Sequence, residues 1–373
     1  MKVVVTGQVG MDKAAFLERA AALAAQAGHK VGLFHVGARM YAEAPDVPPG
    51  RILDLPLAHL TALRRSVFKD LLQQARTTDH MLVNTHATFR WRHGLFYAFD
   101  YDLIKALDAD LYVVLVDDID RVHARLLRDG HADHTLKDLM VWREEEMLTT
   151  ELLGQIVRGH GCFYIQSRGR DDTTAAALVR LMFARHIKKA YLSFPMSHVV
   201  GNAAAGREID EFRAEMKRLF TCFDPGDLEE KPLSGLALRA ASEGHKFVTL
   251  SPLGRKLDVE TSEILGILAD IDGQIYVRDF KLIDQSDLII SLIPTVEDSG
   301  GAARPAISSG VERELQHAHE SAKDVFVIWT CPAEPSPFVS ATATKVFRSV
   351  AEAVRFFLAN NYIPAPPPTG LFG

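Results

Sequence analysis

Short apolar runs alternate with longer amphipathic stretches along the first half of the chain. Apolar runs of four to eight residues bounded by turn residues predict buried strands, and apolar positions three or four apart predict helices. By these rules KVVVTG (2–7) is a strand, and KAAFLERAAALAAQAG (13–28) is an amphipathic helix stopped by Gly28. KVGLFHVG (30–37), HMLVNTHA (80–87), ADLYVVLVDD (109–118) and CFYIQS (162–167) read as further strands. Helices are expected over 55–76, 134–159 and 173–187. Alternating strands and helices imply an α/β fold with a parallel sheet covered on both faces.

The pattern restarts at KKAYLSFPM (188–196), a strand ending in a loop, followed by a helix over 207–220. The segment 221–255 is rich in Pro, Gly and charge and reads as an excursion or lid. QIYVRDFKLIDQSDLIISLIP (274–294) couples a helix to a strand, and 308–324 is a glycine turn entering a helix. A strand at 325–331 and a helix at 349–362 complete the set. The expected division is therefore 1–187, 188–363 and a flexible Pro-rich tail, 364–373. A length of 373 residues agrees with two domains rather than one core.

Composition narrows the partners. Hydrophobic residues make up 47% and charged residues 24%, ordinary for a globular chain. The net charge of -6 offers no basic footprint, so no nucleic-acid partner is expected. RWRH (90–93) and RHIKK (185–189) are short clusters, read as solvated surface or phosphate contacts. Cys162, Cys222 and Cys331 lie far apart, and HADH (131–134) lacks partners at ligand spacing, so neither disulfides nor a metal site is expected. Without an 18-residue apolar run, and with a strand at the N-terminus, a cytoplasmic protein with no membrane partner is expected.

TGQVGMDK (6–13) follows the first strand with the glycines and lysine of a phosphate loop, Gly7, Gly10 and Lys13. Such a loop cradles phosphates with backbone N–H groups, its lysine bridges β and γ phosphates, and its Ser or Thr ligates Mg²⁺. Asp12 stands where the last glycine belongs, and Ala14 where the hydroxyl belongs. With VGARM (36–40), LPL (55–57), VNTHATF (83–89) and DADLYVVLVDDIDRVHARLLRD (108–129), the loop resembles archaeal-type adenylate kinases over about residues 1–185. The resemblance implies a P-loop nucleoside-monophosphate-kinase fold with ATP and AMP sites on strand-end loops. It also shows losses. Asn84 replaces an acidic residue near the metal, and DGHADHT (129–135) lacks the lid arginines, with Arg125 and Arg128 just before it. Phosphoryl transfer depends on metal ligation and charge clamps. The domain is therefore expected to be a scaffold or a regulatory nucleotide binder, with ATP at the loop opposed by the negative charge of Asp12.

In the second half Asp279 precedes Asp287 by eight residues, and on a helix it shares a face with Ile283. SSGVEREL puts Ser308, Ser309 and Gly310 before a helix with Glu314 in its first turn. A helix N-terminus with serine hydroxyls can seat a phosphate, leaving a carboxylate one turn in near the attached sugar. With AYLSFPM (190–196), SDLIIS and SPF (336–338), this order resembles the nucleoside 2-deoxyribosyltransferase family over about 188–358. Its nucleotide branch, which includes deoxynucleoside 5′-monophosphate N-glycosidases, is the closer match. The family pattern S-x-G-x-x-x-E-L falls on Ser308, Gly310, Glu314 and Leu315.

The resemblance implies a smaller, Rossmann-like (flavodoxin-like) domain that works on a small-molecule nucleotide as at least a homodimer. Glu314 becomes the nucleophile or oxocarbenium-stabilising carboxylate, and Asp279 the acid/base. Ser308, Ser309 and Gly310 hold the 5′-phosphate, Tyr191 and Ser193 line the pocket, and Asp287 and Ser336 join the substrate-binding set. Departures are SFPMSHVVGN with Pro195 and His198, the extra carboxylate Glu312, and the excursion at 221–273. Water as acceptor gives hydrolysis and a second base gives transfer, with no cofactor required. Other functions stay open: a TIR-type NAD nucleosidase, a non-catalytic nucleotide binder, and a Mg-dependent nucleoside monophosphate kinase.

Overall fold

A computed structural model describes residues 1–91, 94–130, 134–196, 199–297 and 300–364. Residues 92–93 of RWRH, 131–133 of HADH, His198 and the tail from 365 onward lie outside the described residues. The chain is α/β, with two parallel five-stranded sheets. It forms two units, Met1–Val179 with Asp227–Gln274, and Arg180–Gly226 with Ile275–Gly373.

The first unit contains β1 (Lys2–Thr6), β2 (Gly32–His35), β3 (Met81–Asn84), β4 (Leu111–Val116) and β5 (Phe163–Ser167). Their order is β2-β3-β1-β4-β5. Val3, Val4 and Val5 are fully buried because β1 lies between two parallel neighbours. Helix α1 (Lys13–Gln26) buries Phe16, Leu17, Ala20 and Ala24 at helical spacing. Helix α2 (Leu57–Ala75) buries Leu60, Leu63, Val67, Phe68 and Leu71 in the same way. Helix α3 (Ile119–Arg128) and helix α4 (Leu136–Arg158) follow β4, and Thr135 with Asp138 forms a capping box at the start of α4.

From Asp227 onward the excursion is ordered and belongs to this first unit, whereas the sequence pattern placed it in the second domain. It carries a helix at Lys231–Ser242, an antiparallel hairpin of Phe247–Leu250 with Leu257–Glu260, and a helix at Thr261–Leu265. Its anchor is the buried Glu230, which accepts from both terminal nitrogens of Arg143 (2.6 and 3.0 Å) and from the backbone N–H of Ile119 (3.0 Å). Glu263 accepts from the N–H of Leu136 at 2.7 Å. These partners lie about a hundred residues away, so composition over 221–255 carries no trace of them.

The second unit contains β6 (Lys189–Ser193), β7 (Thr221–Phe223), β8 (Leu288–Ile293), β9 (Asp324–Trp329) and β10 (Lys345–Phe347), ordered β10-β9-β8-β6-β7. Helix α5 (Ala203–Leu219) begins at Asn202, whose side chain caps Ala204 and Ala205. Helix α6 (Leu268–Asp284) leads to β8, and α7 (Ser309–Glu320) lies against β8 and β9. Two short helices, α8 (Pro337–Thr342) and α9 (Val350–Ala359), follow in the same unit. One face of the sheet buries Phe220, Phe326, Phe347 and Phe357, with Phe326 and Phe357 meeting edge-on at 5.0 Å. Among the described residues, no helix is long and apolar enough to cross a membrane.

Candidate functional site

Side chains alternate across a strand, and β6 uses both faces differently. Ala190 and Leu192 enter the aromatic core, leaving Tyr191 and Ser193 on the opposite face. On β8, Leu288, Ile290 and Leu292 likewise enter the core, and Ser291 takes the other face in register with Ser193. Helix α7 packs its buried positions Val311, Leu315 and Ala318 inward. Glu314, three residues after Val311, is carried to the same side.

Both oxygens of the Glu314 carboxylate are occupied by hydroxyl donors. Tyr191 donates to Oε1 at 3.0 Å and Ser193 donates to Oε2 at 2.6 Å. Ser291 donates in turn to Ser193 Oγ at 3.3 Å. Tyr191, Ser193 and Ser291 have no exposed surface. Asp279, on α6, is 7% exposed and lies beside the Arg278 guanidinium at 3.2 Å. Burial, then the charge of Asp279, pushes Glu314 up to about 8, against the opposing pull of the Ser193 and Tyr191 hydroxyls. Burial also raises the Tyr191 phenol well above its ordinary value, with Glu314 and Asp279 adding to the effect.

The other expected residues are distributed differently. Ser308 is the N-cap of α7 and accepts from the N–H of Val311 at 3.2 Å. Ser309 and Gly310 form the exposed first turn, which carries Glu312, and Glu314 lies in the second turn rather than the first. A Cβ at Gly310 would meet only Ser308 Oγ, at 3.6 Å, so packing does not require glycine there. Ser336 caps the start of α8, and its buried hydroxyl has no hydrogen-bond partner. Asp287 does not join Glu314. It accepts from the backbone N–H and the ammonium of Lys189, both at 2.8 Å, where β6 and β8 begin, at the opposite edge from Ser193. Sequence spacing missed Ser291, although a lone serine inside LIISLI was a visible signal.

The loop between β1 and α1 has its own geometry. Gly7 and Gly10 have φ of 136° and 85°, and a Cβ at Gly7 would stand 2.7 Å from the Leu115 carbonyl. Lys13 is buried and turns back to donate to the carbonyls of Gly7 (2.5 Å) and Gln8 (3.4 Å), with His86 Nδ1 at 3.4 Å. Burial lowers Lys13 to about 8, opposed by Glu146. Glu146 is held by the N–H groups of Ala87 (2.8 Å) and Thr88 (3.4 Å). Asn84 faces His35 Nδ1 at 3.0 Å. Asp12 is not a bare repelling charge. Its carboxylate lies 3.1 Å from Arg128, 3.7 Å from Arg125 and 4.0 Å from Arg168. Among the described residues, no group of three or more His, Cys, Asp or Glu is placed to hold a metal ion.

Comparison with family models finds no match to this chain, and comparison with curated proteins finds none either.

Proposed function

We propose that the second unit cleaves the N-glycosidic bond of a nucleoside 5′-monophosphate or a related nucleotide, beside a first unit that is a P-loop kinase-like scaffold without phosphotransfer. The observation that carries this is the half-buried Glu314 carboxylate, fixed by two buried hydroxyls, with the charge of Asp279 acting on it. The strand order supports a flavodoxin-like domain. Numbered within the unit it runs 2-1-3-4-5, whose ligand crevice lies between the first and third strands. Tyr191 and Ser193 stand on the first of these strands and Ser291 on the third.

Breaking the bond leaves positive charge on the sugar ring, and Glu314 meets it at C1′. As the glycosidic bond breaks, its electron pair goes to the base nitrogen, which takes the Asp279 proton. Water then attacks C1′, gives a proton to the Asp279 carboxylate and releases Glu314. A second base in place of water gives transfer. The charge of Asp279 acts on Glu314 and, with burial, holds a proton there in the free protein. In this reading the proton held on Glu314 in the free protein passes to Asp279 as the nucleotide binds, and the Tyr191 and Ser193 hydroxyls then favour the ionised form of Glu314 in the reacting state.

The test is incubation with a panel of NMPs, dNMPs and NAD, followed by chromatography for free base. Base release that disappears in Glu314→Ala is the expected result. No base from any substrate, or release unaffected by Glu314→Ala, overturns the assignment.

A further inference from the structure

In the first unit, we propose that Asp12 serves as an internal anion: its carboxylate occupies an arginine cluster suited to a polyphosphate and keeps that ligand out. The inference concerns the β1–α1 loop and does not depend on the glycosidic chemistry of the second unit.

Three guanidinium groups converge on this loop. Arg128 approaches Asp12 through both terminal nitrogens, at 3.1 and 3.5 Å. Arg125, 1% exposed, stands 3.7 Å from the carboxylate, donates to the Gly10 carbonyl at 3.0 Å and also pairs with Asp117. Arg168 donates to the Met11 carbonyl at 2.9 Å and stands 4.0 Å from Asp12. Arg121 lies 3.8 Å from Asp117, and Asp129 shares Arg128, so three acidic groups meet four guanidinium groups here. Planar guanidinium donors fit phosphate oxygens as they fit carboxylate oxygens.

The loop contributes further evidence. Asp12 precedes α1 without capping it, so its side chain serves the arginines and not the helix. Gln8 is 2% exposed, and its amide Nε2 has no hydrogen-bond partner, which leaves a buried donor in the same loop. Lys13 is turned onto Gly7 and Gln8. These donors and cations match an anion larger than one carboxylate. The backbone at Asp12 is left-handed, φ 49°, where Asn and Gly are also accommodated.

The experiment is calorimetric titration of Mg-free tripolyphosphate into the full chain, as wild type, Asp12→Asn and Asp12→Gly, each first checked by its melting curve. Wild type is expected to bind weakly. Removal of one charge a few ångströms from the ligand should tighten binding in both variants by about tenfold or more. Adding Arg128→Ala to Asp12→Asn should abolish the gain. Wild-type binding equal to the variants, folded variants without a gain, or a gain that survives Arg128→Ala overturns the proposal. Loss of folding in both variants also overturns it, because Asp12 would then be a structural pairing residue.

Discussion

Tyr191 and Ser193 both commit their hydroxyls to Glu314, and that arrangement makes the residue testable one atom at a time. A hydrogen bond to a charged group contributes about 1.5–3 kcal/mol, so Ser193→Ala is expected to lower kcat by about ten- to a hundredfold. Steady-state base release measures it. In the free protein Glu314 loses its proton at about 8, and that proton is the one the leaving base takes by way of Asp279, so kcat/KM should fall as pH rises through that region. A rate that climbs through the same range would remove Asp279 as the proton donor. Stability carries a related signature. Folding raises Glu314 from 4.5 to about 8, so the native state holds a proton that the unfolded chain releases. The stabilisation is complete below the unfolded value and declines as pH rises through the folded one. Glu314→Gln should not show this decline, and urea melts at pH 8 should find it more stable than wild type by about 1–4 kcal/mol, with little difference near pH 4. The order of small residues and carboxylates made Glu314 legible in the sequence. Asp287 was misplaced because counting residues along the chain does not reveal which edge of a sheet a residue reaches.

At the level of elements, most strands and helices follow from apolar periodicity, and their ends follow from caps. Helix α5 begins at 203 rather than 207 because Asn202 supplies the cap ahead of the Glu/Arg-rich stretch. The helix at Lys231–Ser242 was obscured by its own Pro232 and Gly235, yet proline suits the first turn of a helix. For α7 the cap has functional weight, since Ser308 fixes the start of the helix that positions Glu314. Ser308→Ala is expected to cost about 1 kcal/mol of stability, read by denaturant melts. Gly7→Ala should cost about 2 kcal/mol or more, because the added methyl meets the Leu115 carbonyl and the φ of 136° disfavours any side chain.

Across the whole molecule, the feature that local patterns could not reveal is the route of the chain. Residues 227–274 complete the first unit, and their buried Arg143–Glu230 pair joins two carboxylate oxygens to one guanidinium. Removing one partner of such a pair leaves an uncompensated buried charge, so Glu230→Ala is expected to destabilise the first unit by about 3–5 kcal/mol. Hydrogen exchange resolved by segment would place the loss in residues 1–179 and 227–274. The two parallel sheets were legible from alternating strands and helices. The return of residues 227–274 to the first unit was not, because it depends on pairings between distant residues.

That route bears on how the protein is made. Translation proceeds from the N-terminus, and domains generally fold as they emerge. The ribosome releases β6 and β7 well before β8, β9 and β10, with the last pieces of the first unit in between. Strand β6 and the edge strand β7 must therefore wait for the central strand β8. The first unit waits as well, since its Arg143 has no carboxylate partner until Glu230 appears. A gene cut at residue 187 would yield a first unit with that guanidinium unpaired, and no single cut in the backbone frees both units whole.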